Sequence, residues 1–109
     1  MKTLTLTLKK QWFEMIKSGE KKEEYRELCD YWGVRFAGSD VWISELCIKD
    51  VSEIALKHFD RLVFTLGYPK AGDTERRLVF ENPKIRIDTG RPEWGAEPGT
   101  FYYVITWEE

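Results

Sequence analysis

The sequence predicts an α+β fold: a small, partly closed β-barrel of five or six short strands, with one clear helix after the first strand. Three observations lead to this prediction. Residues 3–8 alternate strictly between threonine and leucine, the period-two pattern of a half-buried strand. The next segment, KKQWFEMIK, carries Trp12, Phe13 and Ile16 at helical spacing. The other apolar runs are short, and closing short strands into a barrel removes the exposed edges of an open sheet.

Size and composition indicate one folded, non-membrane domain. The chain has 109 residues, of which 42% are hydrophobic and 15% aromatic, which is too apolar for a disordered segment. It contains no internal repeat and no linker-like stretch, so we expect residues 1–109 to form a single domain. No apolar run approaches the roughly 18 residues of a membrane span, and the polar N-terminus does not resemble a signal peptide. We therefore expect a cytoplasmic protein with no membrane partner.

The cysteines and the charge exclude other classes of function. Cys29 and Cys47 form no CxxC pair, and His58 is the single histidine, so the four ligands of a structural zinc site are lacking. We expect reduced thiols, no metal and no other cofactor. The formal net charge of −2 gives no general attraction to nucleic acid, although it is compatible with a local basic groove.

The remaining elements follow in chain order. Gly19 is expected to end the helix, because glycine takes the left-handed conformation that closes many helices. KEEYREL, residues 22–28, is predicted to be a second strand, and residues 29–59 carry the patterns of one or two short helices. DRLVFTLGY, residues 60–68, is an apolar strand that ends in a Gly-Tyr turn.

The last third of the chain alternates between strands and a loop. RRLVFENPKIRID, residues 76–88, is either one long bent strand or two strands interrupted at Asn82 and Pro83. The glycines and prolines of TGRPEWGAEPG predict a loop over residues 89–99. FYYVITW, residues 101–107, is the expected closing strand.

A motif connects the helix with the second strand. Gly19, Lys21, Glu24 and Arg26 form the pattern GxKxxExR, directly after a strand and a helix. This pattern resembles the signature of the ASCH domain, a member of the PUA-like superfamily. Three later stretches are similar, in the same order, to small phage and bacterial ASCH proteins: FDRLVFTLGY (59–68), IRIDTG (85–90) and YVITW (103–107). The resemblance covers nearly the whole chain and is weakest over residues 38–58.

The resemblance implies a PUA-like β-barrel with a polar cleft beside the helix. Members of this family are proposed to bind RNA, and small bacterial relatives resemble amidohydrolases that deacylate N4-acetylcytidine with a lysine, a threonine and a distant glutamate. Lys21 stands at the lysine position here, but Glu24 stands where those hydrolases carry threonine. This departure favours the binding of RNA or of a modified nucleotide. The alternative is a metal-independent hydrolase that acts on an acylated nucleoside or on RNA.

The candidate site residues begin with the three motif charges, Lys21, Glu24 and Arg26. On a strand, Glu24 and Arg26 share one face, where a guanidinium suits a phosphate or base edge and a carboxylate suits an exocyclic amine. The same geometry suits a structural ion pair. Lys21 is either a buried base or nucleophile or an exposed phosphate contact, and a hydrolase would use Lys21 and Glu24 in catalysis. The aromatic candidates for stacking on a base are Tyr31, Trp32, Tyr68 and Trp94.

Other residues near the motif are assigned structural or surface roles. Tyr25 is expected to pack inward, and Trp12, Trp42 and Trp107 are expected in the core. Arg76, Arg77, Lys84 and Arg86 form a second basic run that would be either a phosphate track or a solvated face. The other charges of the stretch are expected at the surface: Glu20, Lys22, Glu23 and Glu27.

Overall fold

The computed structural model describes residues 1–29, 32, 36 and 57–108. Within these residues the fold is mixed α+β, with five strands and one α-helix after the first strand, as predicted. The helix is α1 (Lys10–Lys17), and the strands are β1 (Thr3–Leu8), β2 (Glu24–Glu27), β3 (Arg61–Leu66), β4 (Arg77–Thr89) and β5 (Phe101–Glu108).

The strands form one sheet in the order β1-β3-β4-β5-β2. Since β1 and β2 stand at its two ends, the sheet is open over the described residues, and the predicted barrel is not confirmed. The predicted short helices of residues 29–59 lie almost wholly outside the described residues. In the part of the chain that is described, no helix has the length and apolar character needed to cross a membrane.

The chain divides into two compact units, each of which is described by itself below. Unit 1 comprises residues 1–22, 58–84 and 106–109, and unit 2 comprises residues 23–57 and 85–105. The assignment of residues 1–109 to a single domain stays a prediction.

The core of unit 1 is built by the leucine face of β1. Its leucines Leu4, Leu6 and Leu8 are buried while the intervening threonines are exposed, which is the alternation that the sequence predicts. The strand pairs in parallel with β3, from Thr3 opposite Arg61 to Leu8 opposite Leu66. The helix α1 follows β1 along the chain, and its side chains Phe13 and Ile16 are buried. An aromatic cluster completes the core, with ring centroids 5.1 Å apart for Phe64 and Trp107 and 5.2 Å apart for Phe80 and Trp107.

The strand β4 is continuous, which decides between the two predictions for residues 76–88. It runs for 13 residues through Asn82 and Pro83. Asn82 has a φ of 49°, a left-handed conformation that asparagine tolerates better than most residues. Its backbone N–H donates to the carbonyl of Asp60 at 3.0 Å, and its side-chain amide donates to Glu108 at 3.2 Å. One distorted residue is therefore accommodated within a single strand.

The end of α1 determines where Lys21 lies. Gly19 has a φ of 85°, as expected for a glycine that closes a helix, and its N–H donates to the carbonyl of Ile16 at 3.1 Å. The chain then turns back, and the N–H of Lys21 donates to the carbonyl of Met15 at 3.0 Å. The helix end thus holds the backbone of Lys21 against the last turn of α1.

The described core of unit 2 centres on the pairing of β2 with β5. The two strands are antiparallel, with Glu24 opposite Ile105, Tyr25 opposite Val104, Arg26 opposite Tyr103 and Glu27 opposite Tyr102. Tyr103, Val104 and Ile105 are each 0% exposed. The strand β2 begins at Glu24 rather than at residue 22, so the motif strand is shorter than predicted. The predicted loop of residues 89–99 contains a single 3-10 turn, Pro92–Trp94.

Candidate ligand-binding site

The three motif charges are withdrawn from solvent, whereas most of their charged neighbours are not. Lys21 is 0% exposed and Glu24 is 6% exposed, and the side chain of Arg26 is 17% exposed. Glu20, Lys22 and Glu27, by contrast, are exposed as predicted. Removing a charge from water costs several kcal/mol unless partners compensate for it. The motif positions therefore differ physically from the solvated charges between them.

Glu24 and Arg26 form an ion pair along β2. The Nη2 of Arg26 donates to Oε2 of Glu24 at 3.0 Å, and the backbone N–H of Tyr25 donates to Oε1 of the same carboxylate at 3.2 Å. The two residues are separated by one position on a strand, so they share a face, as predicted. The guanidinium of Arg26 also lies over the ring of Trp32, with its carbon 5.1 Å from the ring centroid.

Aromatic rings continue this face toward β5. The rings of Trp32 and Phe36 are stacked with centroids 5.4 Å apart, and Phe36 meets Tyr103 edge-on at 5.0 Å. Tyr103 stands directly opposite Arg26 in the strand pairing, and cross-strand partners point to the same side of a sheet. We use the name motif face for the set Glu24, Arg26, Trp32, Phe36 and Tyr103.

Lys21 belongs to unit 1, where its environment is partly aromatic. Its Nζ lies 5.4 Å from the centroid of the Trp12 ring. With an exposure of 0%, Lys21 is a buried lysine and not an exposed phosphate contact. The structure therefore shows that Lys21 is buried, and its role as a base or nucleophile stays a prediction.

The opposite face of β2 carries a separate hydrogen-bonded network in unit 2. The hydroxyl of Tyr25 donates to Glu23 at 2.8 Å and accepts from the backbone N–H of Arg91 at 3.0 Å. Burial raises the pKa of Tyr25 to about 12, opposed by the Arg91 hydrogen bond and assisted by Glu23. Gly90 packs so closely on Tyr25 that a Cβ there would come within 2.6 Å of the ring. The prediction that Tyr25 packs inward is thus met by a half-buried side chain.

The same network corrects one assignment made from the sequence, that of Glu23, and provides the partners of Arg86. Glu23, expected at the surface, has a side chain only 18% exposed, because Arg86 binds it with Nη2 to Oε2 at 2.7 Å. Arg86 also donates to Asp88 at 3.2 Å, and the hydrogen bond that Arg86 donates to Glu23 is the main cause that raises the pKa of Arg86. The guanidinium of Arg86 is therefore paired with two carboxylates, and the phosphate track and the solvated face both stay predictions for the second basic run.

The predicted stacking residues occupy different environments. Trp32 lies on the motif face, against Arg26. Trp94 lies in the 3-10 turn, where the guanidinium carbon of Arg91 is 4.9 Å from its ring centroid. Tyr68, in unit 1, is 94% exposed and follows Gly67 in the turn after β3. Tyr31 and Trp42 lie outside the described residues.

Two members of the motif face were missed by sequence reasoning. Phe36 was placed within residues 29–59, where one or two short helices were predicted, and Tyr103 was interpreted only as part of the closing strand. The proximity of Tyr103 to Arg26 depends on the register between β2 and β5, which neither strand reveals alone. The aromatic run Phe101–Tyr103 was the one available signal, since aromatic residues often pair across strands.

No protein-family model, curated protein or solved structure matches this chain. The ASCH resemblance therefore stays a prediction based on the motif and on the order of the stretches that follow it.

Proposed function

We propose that this chain is an ASCH-like, PUA-like domain that binds a nucleotide, free or within RNA, through its motif face. The observation that carries the proposal is the selective burial of the motif charges. Glu24 is 6% exposed while Glu27, on the same four-residue strand, is exposed. A pattern that buries alternate charges of one strand is unexpected for a merely solvated strand.

The chemistry of the motif face suits a nucleobase. A carboxylate accepts hydrogen bonds from an exocyclic amine, and a guanidinium donates to ring nitrogens, carbonyl oxygens or phosphate. Glu24 and Arg26 present one group of each kind on one side of β2. The adjoining Trp32 and Phe36 rings offer flat apolar surface for a base, a contact worth about 1–3 kcal/mol where it forms.

A purely structural role explains the same ion pair less well. A buried ion pair adds little net stability compared with apolar residues of similar volume, because both charges lose their hydration. A fold that needed only cohesion between β2 and its surroundings would be served by apolar side chains at these positions. Retention of the pair is better explained by recognition of a polar ligand.

The proposed site also includes Lys21. Lys21 enters because it occupies the motif position and is fully buried, a costly placement for an amine with no function. The closed PUA-like barrel belongs to the same proposal.

Titration of the isotope-labelled protein with cytidine 5′-monophosphate and with short RNAs tests the proposal. We expect amide shifts at residues 21–26 and about tenfold weaker binding in Arg26→Lys, because an ammonium lacks the planar fork of a guanidinium. Glu24→Gln should weaken binding, whereas its matched control Glu27→Gln should bind as the wild type does. Absence of shifts in residues 21–26 at millimolar ligand would refute the proposal.

A second candidate function is metal-independent hydrolysis of an acylated nucleoside or of RNA, favoured by the complete burial of Lys21. A buried amine is either an uncharged nucleophile or a fixed positive charge that stabilises a developing oxyanion. Glu24 would be the general acid or base. The assay is release of acetate from N4-acetylcytidine, followed in wild type, Lys21→Met and Glu24→Gln. Loss of turnover in both variants, with Lys22→Met still active, would establish catalysis; an inactive wild type would exclude this substrate.

A further inference from the structure

Unit 1 contains a groove of about 680 Å³ that shares no residue with the motif face. One wall of the groove is the end of α1, residues 16–19, and the other is the β4 segment of residues 78–81. Glu108, the last residue of β5, also lines it. Ligand sites usually have volumes of about 300–1,000 Å³, so the groove is large enough to bind a ligand of its own.

The groove runs along an edge of β4. Four consecutive residues of the strand line it, and successive side chains of a strand point to opposite faces. A cavity over one face would be lined by alternate residues only. The other edge of this segment pairs with β3, from Leu78 opposite Phe64 to Glu81 opposite Arg61. The groove therefore lies along the edge of β4 that faces away from β3.

The groove begins where β5 ends. β5 is the neighbour of β4 on the side away from β3, and Glu108 is its one residue that lines the groove. The carboxylate of Glu108 accepts from the side-chain amide of Asn82 at 3.2 Å, which places the end of β5 beside Asn82. Residues 78–81 precede Asn82 on β4. The groove therefore occupies the place in the sheet that a further strand in line with β5 would fill.

The backbone of β4 presents hydrogen-bonding groups to this groove. On the β3 side, the carbonyl of Arg76 accepts from Leu66 at 2.9 Å, and the N–H of Asn82 donates to Asp60 at 3.0 Å. In an antiparallel pair, alternate residues direct both backbone groups to the partner, and the residues between them direct both groups away. Val79 is separated from Arg76 and from Asn82 by an odd number of positions. Its N–H and C=O groups are therefore directed away from β3, toward the groove.

The side chains at this edge are apolar and partly exposed. Leu78, Val79 and Phe80 are consecutive, and Val79 is 54% exposed. Exposed apolar strand edges are templates for pairing with another chain, and natural edges are usually blocked by charged residues or proline. Residues 78–80 contain neither, so this edge suits an added strand.

The charge of the groove favours a basic residue at its β5 end. Glu81 pairs with Arg61 at 3.3 Å, so its charge is compensated within the protein. Glu108 receives a hydrogen bond from the neutral amide of Asn82, and within the described residues no ion pair joins its carboxylate to Lys17 or to another base. An ammonium or guanidinium of a ligand would provide this countercharge.

We propose that the groove binds an extended, basic peptide segment of a partner protein, which adds a strand to the edge of β4 in line with β5. Backbone hydrogen bonds to Val79 hold the segment, and its apolar side chains contact Leu78 and Phe80. A lysine or arginine of the segment pairs with Glu108. This inference is independent of nucleotide binding by the motif face, because every residue that lines the groove belongs to unit 1.

Titration of the isotope-labelled wild-type protein with the blocked peptide acetyl-Lys-Val-Thr-Val-Lys-amide tests the proposal. Its alternating side chains suit a strand, and lysines at both ends make the result independent of strand direction. We expect amide shifts at residues 16–19 and 78–81 at millimolar peptide. Absence of shifts at these residues would overturn the proposal.

Methylation of the peptide backbone separates strand addition from contacts made by side chains alone. In an added strand, only alternate N–H groups face β4. One peptide is methylated at the nitrogen of the central threonine, and the other at the nitrogens of both valines. One of the two should bind about tenfold more weakly or worse, because it loses a backbone hydrogen bond, while the other binds as the parent peptide does. Equal affinities of the two methylated peptides would overturn strand addition.

Substitutions in the protein test the location and the charge. Val79→Lys should abolish binding of the parent peptide, because a lysine guards the edge and repels the lysines of the peptide. Glu108→Gln should weaken binding about threefold, as expected for one exposed ion pair, whereas the control Glu75→Gln, exposed and outside the groove, should bind as the wild type does. Unchanged binding in Val79→Lys would overturn the location, and unchanged binding in Glu108→Gln would overturn the basic residue.

The remaining outcomes concern the occupant and the folding of the variants. Shifts at residues 78–81 that grow with protein concentration in the absence of peptide would mean that a second copy of this chain pairs with the edge, which overturns a peptide partner. The methylated peptides test the same edge in the wild-type protein, so their result does not depend on whether Val79→Lys folds.

Discussion

At the scale of single residues, the burial of a side chain distinguishes charges that the sequence presents as equivalent. The stretch Gly19–Leu28 alternates acids and bases so densely that composition gives no reason to prefer any one of them. The structure places Lys21 and Glu24 out of solvent and leaves Lys22 and Glu27 in it. Because burial of a charge is costly, the buried charges are better candidates for a function than the surface charges.

The pKa of Tyr25 leads to a prediction about alkaline stability. An unfolded tyrosine loses its proton near pH 10, whereas folded Tyr25 loses it at about 12. Between these values the unfolded chain binds fewer protons than the folded one, so the free energy of unfolding falls as pH rises through that window. Urea unfolding at several pH values from 9 to 12 should show this fall, and Tyr25→Phe should reduce it.

A matched control for this measurement is Tyr68→Phe. The side chain of Tyr68 is 94% exposed, so its surroundings change little when the protein unfolds. The control should retain the pH dependence of the wild type. If Tyr25→Phe and the wild type lose stability equally between pH 10 and 12, the burial of the Tyr25 phenol does not cause the dependence. Tyr103, whose pKa burial also raises to about 12, adds a second contribution that Tyr103→Phe removes independently.

At the scale of elements, Asn82 allows β4 to remain one strand, and its replacement should expose that role. Asn82→Ala should lower the free energy of unfolding by about 1–2 kcal/mol, because alanine resists a φ of 49° and cannot donate to Glu108. Asn82→Gly should lower it less, because glycine takes positive φ freely. Chemical denaturation of both variants, with the exposed Lys84→Ala as control, measures the difference. Equal losses for alanine and glycine would exclude the backbone conformation as the cause.

Local patterns predicted the elements well because their causes lie within a few residues. The alternation of β1, the apolar spacing of α1 and the stop at Gly19 each depend on neighbours in sequence, and each is present in the structure. For β4, the sequence alone left two possibilities, one long strand or two strands, because proline and asparagine usually interrupt a strand. In the structure, the left-handed backbone conformation of Asn82 allows the strand to continue past this position.

The composition of the site was less predictable, because it depends on contacts between distant parts of the chain. Glu24 and Arg26 were found from the sequence since they are two positions apart on one strand. Tyr103 escaped prediction because its place opposite Arg26 is fixed by strand register. Glu23 was assigned to the surface because Arg86, 63 residues away, could not be known to pair with it.

At the scale of the whole molecule, the arginines of the predicted second basic run have protein partners. Arg76 pairs with Asp73 at 3.3 Å, and Arg86 pairs with Glu23 at 2.7 Å. Arg77 donates to backbone carbonyls, including that of Asp73 at 2.8 Å, and so supports the turn before β4. Within the described residues, these three arginines are therefore engaged by protein groups, while Lys84 of the same run is exposed.

The salt dependence of RNA binding follows from this charge distribution. Each phosphate that a protein neutralises on a single strand contributes about −0.7 to the slope of log K against log salt concentration. A track formed by the four basic residues of the second run would give a slope near −3, whereas recognition of one nucleotide by the motif face should give about −1 or less in magnitude. Fluorescence anisotropy with a short labelled RNA at several salt concentrations measures the slope. Lys84 is exposed, and the variant Lys84→Ala should have the same slope as the wild type. A wild-type slope near −3 that becomes smaller in Lys84→Ala would instead indicate binding along the RNA backbone. The same slope for RNA and for the mononucleotide would mean that the polymer adds no further ionic contact.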